Sequence, residues 1–258
     1  MVCILGGGKL GTAIAEGLVR ADPQRELVIS VRKGADTSVL QARFPTARVV
    51  DGPEASDGVI VCVKPKDVAV AAKSAAEAGA TRVLSVAAGV TLRSLAEACG
   101  PEVAVIRAMP NVGAQVQRSA TGFCTQDTVS EDDLAWAWSV LEPLGSVVRV
   151  RESQMDAVTG VSGSGIAFVL LVLEAMIEGG VAAGLTGTEA HELAVSTLGG
   201  AALVARGDES PAEIRARVTT PNGTTAAGLA VMEARDVRGL FRDAIAAATA
   251  RSAELGRS

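Results

Sequence analysis

Three glycines near the amino terminus have the spacing that suits binding of a dinucleotide. The segment Gly6-Gly7-Gly8-Lys9-Leu10-Gly11 follows the pattern G-x-G-x-x-G and joins the apolar run Val2–Leu5 to a helical pattern. In such a unit the first glycine permits the turn, the second lets backbone approach a pyrophosphate, and the third lets the helix pack on the strand. Amides of the helix N-terminus face the phosphates. We therefore predict that a dinucleotide is bound by Leu5, Gly6, Gly7, Gly8, Lys9 and Leu10; the alternative is a glycine-rich turn that binds nothing.

The end of the second apolar run distinguishes between NAD and NADP. An NAD enzyme usually carries Asp or Glu at this strand end, where it holds the ribose 2′-hydroxyl. This run instead ends Ser30-Val31-Arg32-Lys33, without a carboxylate. A guanidinium forms bidentate contacts with a phosphate. The sequence therefore favours NADP(H) over NAD(H), with Arg32 and Lys33 near the 2′-phosphate; a solvated basic turn is the alternative.

Three further strand ends carry small or polar residues at the edge where α/β sheets bind ligands. Each is equally compatible with a plain strand-to-helix turn, but together they follow one rim of the sheet. They are Cys62-Val63-Lys64-Pro65, Ser85-Val86-Ala87-Ala88-Gly89 and Arg107-Ala108-Met109-Pro110-Asn111.

Two glycine-rich loops in the second half suit an anion. Ser162-Gly163-Ser164-Gly165 precedes a long apolar helix, and the run Thr219-Thr220-Pro221-Asn222-Gly223-Thr224-Thr225 precedes another. Free amides and hydroxyls at a helix N-terminus bind a carboxylate well. For either loop alone, an ordinary helix cap is the simpler interpretation.

The distribution of acids and bases restricts the chemistry. All five lysines lie within the first 73 residues, and the single histidine, His191, lies between Glu189 and Glu192 on a predicted helix surface. The second half therefore offers no Lys and no well-placed His as a general acid or base, which argues against an alcohol dehydrogenase. Reduction of a C=N bond demands less, because the imine nitrogen can arrive protonated. One histidine and four scattered cysteines also argue against a metal site.

The elements that must position these residues change character near Arg151. Residues 1–150 alternate short β-branched runs with helical patterns, which is typical of a doubly wound, Rossmann-type α/β sheet. The predicted strands are Val2–Leu5, Leu27–Val31, Ala47–Val50, Val59–Val63, Val83–Val86, Val103–Ile106 and Val147–Val150. Residues 151–258 contain only helical patterns rich in Ala and Gly. We predict an NADP-binding domain over 1–150 and a helical substrate and dimerisation domain over 151–258, since small residues leave little to bury within one subunit.

Composition excludes several classes of partner. The chain has 258 residues, a net charge of −5 and no tyrosine, which disfavours nucleic acid. The longest uninterrupted apolar run of the second half, Ile166–Leu173, is shorter than the roughly 20 residues of a membrane span, and the N-terminus lacks the features of a signal peptide. The cysteines Cys3, Cys62, Cys99 and Cys124 form no C-x-x-C pair. We therefore expect reduced thiols in a cytoplasmic protein that binds neither membrane nor nucleic acid.

Five separated segments, in order, resemble the pyrroline-5-carboxylate reductase family, and the likeness covers nearly the whole chain. The segments are Val63–Pro65, Ala87–Gly89, Met109–Asn111, Asp156–Gly165 and Val218–Leu229. The resemblance implies an N-terminal Rossmann domain, a C-terminal helical domain that interlocks into a homodimer, and dimers that build a decamer in many members. It also implies an oxidoreductase of proline, and thus amino-acid, biosynthesis that reduces 1-pyrroline-5-carboxylate to L-proline with NAD(P)H.

The resemblance also assigns residues. It implies that Gly6, Gly8, Lys9 and Leu10 hold the pyrophosphate, and that Arg32 meets the adenosine ribose. Val63, Lys64, Pro65, Ala87, Ala88 and Gly89 would line the cofactor's path, with Met109 and Asn111 by the nicotinamide. The substrate carboxylate would lie on the loop of Asn222, Gly223, Thr224 and Thr225, with Ser164 also at the substrate. The Thr225 hydroxyl would face the ring nitrogen as the catalytic group.

Several positions depart from the family pattern. The family reads G-S-G-P-A-Y where this chain has Gly163-Ser164-Gly165-Ile166-Ala167-Phe168, and S-P-G-G-T-T where it has Thr220–Thr225 with Asn222 at the first glycine. Asn tolerates positive φ better than most residues, so the loop shape is expected to survive. Lys9 replaces the usual Asn. Three alternatives stay open: a reductase of a six-membered or methylated cyclic imino acid, a dinucleotide-binding regulatory protein without turnover, and a hydroxy-acid dehydrogenase.

Overall fold

A single mixed sheet forms the centre of the first part of the chain. The computed structural model describes residues 1–256, and within them eight strands pair in the order β3-β2-β1-β4-β5-β6-β7-β8. The first six are parallel, β7 is antiparallel to β6, and β8 is parallel to β7. The strands are β1 (Val2–Leu5), β2 (Leu27–Val31), β3 (Arg48–Asp51), β4 (Gly58–Val61), β5 (Arg82–Ser85), β6 (Ala104–Met109), β7 (Ser119–Thr125) and β8 (Gly145–Arg149).

Helices cover both faces of this sheet. They are α1 (Lys9–Ala21), α2 (Ser38–Arg43), α3 (Val68–Glu77), α4 (Leu92–Cys99), α5 (Glu131–Leu141) and α6 (Met155–Val158). Since side chains alternate along a strand, Val2 and Ile4 of β1 join a core cluster with α1 and α5. Cys3 and Leu5 join a second cluster with α3 and α4 on the opposite face. The result is the doubly wound fold predicted from the sequence.

A second compact unit comprises Gly165–Ile245 and is helical. Its elements are α7 (Gly165–Ala182), α8 (Gly187–Val204), α9 (Pro211–Arg217) and α10 (Thr224–Ala234), and α11 (Val237–Leu255) begins in it. Reciprocal capping boxes start α8 at Thr186 and Glu189, and α9 at Ser210 and Glu213. No residue of α7 or α10 is buried within the chain.

The helical segment Glu152–Ala182 is long and apolar enough to cross a membrane by length and composition alone. It was the only such segment found within residues 1–256, and 11% of its most apolar window is buried within one chain. This segment was not predicted from the sequence, because Glu174 ends the uninterrupted apolar run Ile166–Leu173. Val169, Leu170 and Leu171 are about half exposed or more in α7. This apolar surface therefore needs a cover, which a single chain does not supply.

Most predicted elements are confirmed, and the differences have physical causes. Strand β7 was missed because its buried polar residues, Ser119 and Thr121, hydrogen-bond each other at 2.9 Å and disguise the apolar pattern. Helix α2 was missed because it is short and buries no residue. The compact units divide after Ser164 rather than at residue 150, and residues from Ala246 return to the first unit. Burial of Met155 in the core explains the later division, since it ties α6 to the sheet.

Candidate functional site

A cleft of about 1080 Å³ opens at the carboxyl edge of the sheet, above the glycine turn that follows β1. The strand order reverses between β1 and β4, and crevices at such reversals bind ligands in open α/β sheets. Eight of the twenty-four lining residues are ones that the sequence assigned to the cofactor. They are Leu5, Gly6, Gly7, Gly8, Lys9, Arg32, Val63 and Lys64.

The three motif glycines have the three geometries that the sequence predicted. Gly6 has φ +116°, and a Cβ there would lie 2.6 Å from the carbonyl oxygen of Cys62. A Cβ on Gly11 would collide with the carbonyl oxygen of Gly6, so only glycine lets α1 approach β1 this closely. A Cβ on Gly8 would meet no atom within 4 Å. Gly8 therefore leaves open space beside the N-terminus of α1, where a pyrophosphate fits.

The end of β2 brings a basic side chain to one wall of the cleft. Arg32 is 84% exposed, and its Nη2 donates to Oδ2 of Asp67 at 3.2 Å. Lys33 follows it in the chain and is exposed, but it does not line the cleft. Sequence reasoning missed Asp67, although its position directly after Lys64-Pro65-Lys66 placed it at a strand end.

From Pro65 onward, the predicted cofactor residues do not line the cleft. Pro65 begins the short 3-10 turn Pro65–Asp67 that leads into α3. Ala87 is buried, and Gly89 has φ +76°. A Cβ on Gly89 would lie 3.4 Å from the backbone of Leu255, so the end of α11 lies against this turn. Leu10, Lys33, Pro65, Ala87, Ala88, Gly89, Met109 and Asn111 do not line the cleft.

Asn111 braces a neighbouring turn with its side chain. Its Nδ2 donates to the carbonyl oxygen of Ser162 at 3.0 Å, and its Oδ1 accepts from the amide of Gly113 at 3.0 Å. Ser162 belongs to the π-helical turn Thr159–Gly163, which leads directly to Ser164. The amide of Asn111 is thus occupied by protein partners, which makes it a positioning group for the turn before Ser164.

The predicted substrate loop lies in the second unit, whereas Ser164 ends the first segment of the first unit. Asn222 has φ +58°, as expected for a residue that replaces glycine. Gly223 is the N-cap of α10, and the first intrahelical bond runs from the amide of Ala227 to its carbonyl oxygen at 3.1 Å. The amides of Thr224 and Thr225 at the helix start have no intrahelical acceptor and suit an anion. Thr225 is exposed.

Within residues 1–256, the thiol that lines the cleft and the single histidine are poorly suited to act as a nucleophile or a metal ligand. Burial raises the pKa of Cys62, which lines the cleft, so its thiol stays protonated near neutral pH. The four cysteines are free. His191 is exposed on α8, as the sequence predicted. Within residues 1–256 there is no cluster of His, Cys, Asp or Glu that could hold a metal ion.

The fold and the glycine cleft define a dinucleotide-dependent oxidoreductase, and the family comparisons agree. Residues 1–89 match the family described as coenzyme F420-dependent NADP oxidoreductases, and residues 152–255 match the pyrroline-5-carboxylate reductase dimerisation domain. A pyrroline-5-carboxylate reductase from Synechocystis sp. is 40% identical over 98% of this chain and 97% of its own. One from Mycobacterium leprae is 36% identical over 98% of this chain and 96% of its own. The chain belongs to the pyrroline-5-carboxylate reductase family.

Solved structures of this family share the fold. A pyrroline-5-carboxylate reductase from Coxiella burnetii matches with a TM-score of 0.93 and 28% identity, covering 100% of this chain and 98% of the other. The Plasmodium falciparum protein, solved with NADP bound, matches with a TM-score of 0.85 and 23% identity, covering 99% of this chain and 97% of the other. The expected fold, family and enzyme class are therefore confirmed, and the chain carries a dimerisation domain.

Proposed function

We propose that this enzyme reduces 1-pyrroline-5-carboxylate to L-proline in proline biosynthesis, with NADPH as the preferred reductant. The observation that carries the proposal is the 40% identity to a pyrroline-5-carboxylate reductase over 98% of the chain. The open glycine cleft supports it, because it offers a dinucleotide the space and the amides that it needs. Proline synthesis and four free thiols are both compatible with the cytoplasm, where we place the enzyme.

The proposed cofactor residues divide into four groups, each at a different part of the dinucleotide. The glycine turn and the first amides of α1 hold the pyrophosphate, and Lys9 adds a positive charge beside it. Arg32 binds the 2′-phosphate, with Lys33 as a neighbouring positive charge outside the cleft, which is supported by the lack of a carboxylate at the tip of β2. The residues of the next strand ends, from Val63 to Pro65 and from Ala87 to Gly89, border the path toward the nicotinamide. Met109 lies by that ring, and Asn111 acts through the turn that it braces.

The proposed chemistry rests on orientation of the substrate. When bound, the dihydronicotinamide supplies a hydride to the carbon of the C=N bond, and the protonated nitrogen becomes the amine. The amides of Thr224 and Thr225 bind the substrate carboxylate. The Gly223 amide, which the sequence also assigned to the carboxylate, instead donates to the carbonyl oxygen of Thr220 at 3.0 Å, and it maintains the loop shape together with the positive φ of Asn222. Thr225 orients the ring nitrogen by a hydrogen bond, and Ser164 contributes a second hydroxyl. Orientation of a preactivated electrophile replaces a dedicated general acid.

We propose that two helical units form a homodimer and that dimers assemble further, up to a decamer. The match of residues 152–255 to a dimerisation domain supports this arrangement. The exposed apolar face of α7 supports it too, because Leu170 and Leu171 are 50% and 65% exposed in one chain. A second copy of the chain covers that face without recourse to a membrane.

Turnover measurements with a panel of imines test the proposal. The purified enzyme is given 1-pyrroline-5-carboxylate, its six-membered homologue and a methylated ring, each with NADPH and with NADH. We expect the highest kcat/KM for 1-pyrroline-5-carboxylate with NADPH. Ile166, Phe168 and Asn222 depart from the family pattern, so a higher kcat/KM for another ring would reassign the substrate within the imine class. Absence of turnover with every imine would refute the enzymatic proposal.

A further inference from the structure

An ion pair joins the two strand ends that flank β1. Arg32 lies just after β2, and Asp67 ends the short turn after β4; Nη2 of the first and Oδ2 of the second are 3.2 Å apart. Strands β2 and β4 lie on either side of β1, about 10 Å apart by the usual strand spacing. The long arginine side chain bridges this gap at the wall of the cleft.

This geometry gives the guanidinium of Arg32 a carboxylate partner, although the β2 tip itself carries none. Nicotinamide enzymes that use NAD carry their acidic residue at the β2 tip. Here the Arg32 side chain reaches toward an acidic residue on the β4 side, so that a carboxylate contacts the guanidinium proposed to meet a 2′-phosphate. Arg32 is 84% and Asp67 36% exposed, so the contact is a surface ion pair whose effect is expected to be modest.

We infer that Asp67 is a specificity-determining residue that weakens the preference for NADPH by competing with the 2′-phosphate for Arg32. The inference rests on the proposed contact between Arg32 and that phosphate. A phosphate dianion must displace the Asp67 carboxylate from the guanidinium or share it, and the two anions repel each other at short range. NADH carries no 2′-phosphate and meets neither obstacle.

The inference predicts that removal of the carboxylate charge increases selectivity. Asp67→Asn keeps the size of the side chain and abolishes the ion pair. We expect NADPH to bind about fivefold more tightly, which is the largest effect usual for an exposed ion pair, and NADH to change by less than about twofold. Dissociation constants are measured on the full-length protein by the fluorescence of the reduced nicotinamide, without imine, so that the result does not depend on the substrate assignment.

Asp36→Asn is the matched control. Asp36 lines the same cleft and carries the same charge, and its Oδ1 accepts from the amide of Ser38 at 2.9 Å, a bond that asparagine can keep. We expect this variant to change the ratio of the NADPH and NADH constants by less than about half as much as Asp67→Asn, because surface charges without a direct contact are screened. An equal effect of the two variants would indicate general repulsion and overturn the inference.

Arg32→Ala separates this inference from the proposed cofactor role. If Arg32→Ala lowers NADPH affinity selectively, and Asp67→Asn has less than about a twofold effect in that background, competition for the guanidinium is supported. A selective effect of Arg32→Ala with an unchanged or weaker NADPH preference in Asp67→Asn would overturn the inference alone. If Arg32→Ala bound NADPH as tightly as the parent protein, both the proposed contact of Arg32 with the 2′-phosphate and the inferred competition by Asp67 would be refuted.

Discussion

Replacement of two neighbouring glycines by alanine is expected to separate folding from cofactor binding. Gly11 and Gly8 belong to the same turn, but their surroundings differ: a Cβ on Gly11 would collide with the carbonyl oxygen of Gly6, whereas one on Gly8 meets no atom within 4 Å. A backbone carbonyl held in a tight turn cannot rotate away as a flexible side chain does. We therefore expect Gly11→Ala to push α1 away from β1.

The magnitude of the Gly11→Ala effect follows from the cost of inserting a methyl group into a packed interior, about 1–3 kcal/mol. For a chain of this size each kcal/mol lowers Tm by about 2–4 °C, so we expect a decrease of roughly 2–12 °C. Gly8 has φ −75° and ψ −176°, which alanine adopts without strain. We expect Gly8→Ala to keep Tm within about 2 °C, since its small cap and chain-entropy effects oppose each other.

Gly8→Ala, which is expected to leave Tm nearly unchanged, is expected to weaken cofactor binding. The methyl group of Gly8→Ala occupies space beside the α1 N-terminus and blocks close approach of a pyrophosphate. Loss of one charge-assisted hydrogen bond costs about 1.5–3 kcal/mol, so we expect a weakening of NADPH binding of about tenfold or more. Differential scanning fluorimetry gives Tm, and titration followed by nicotinamide fluorescence gives the dissociation constant. If Gly8→Ala bound NADPH as the parent does, the pyrophosphate would have to lie elsewhere.

Three further predictions concern the chemistry, the thiols and the assembly. Thr225→Val is expected to lower kcat/KM about ten- to a hundredfold through one lost polar contact, with NADPH binding unchanged. His191→Ala is expected to stay active. A fully active Thr225→Val variant or an inactive His191→Ala variant would indicate a conventional general acid. Burial raises the pKa of Cys3 to about 11 and of Cys124 to about 12, so both thiols stay protonated at pH 8, and mass spectrometry should show slow alkylation that becomes rapid on unfolding. Leu171→Asp, on the exposed face of α7, is expected to dissociate the oligomer in light scattering, whereas Val70→Asp, 71% exposed on α3, should not; equal masses would argue against an α7 interface.

The sequence predicted those elements whose local residue pattern matches their surroundings in the fold. β1 and β4 are apolar at every position because both of their faces are covered. Strand β7 was not predicted because it buries two hydroxyl groups, those of Ser119 and Thr121. They hydrogen-bond each other, and a local sequence pattern does not show this pairing. The boundary after Ser164 was not predicted because it also depends on a long-range contact. Met155 is buried against strands that are distant from it in the sequence.

The site was predictable where its function depends on backbone conformation and less so where side chains from distant strands meet. Gly6, Gly11 and Asn222 each have the geometry that their residue type implies, since φ preferences and close approach are local properties. The contact of Arg32 with Asp67 depends instead on strand order, because it requires β2 and β4 to flank β1. The sequence of β2 alone assigns Arg32 to a phosphate. The fold adds the carboxylate of Asp67, with which, by our inference, that phosphate competes for the guanidinium.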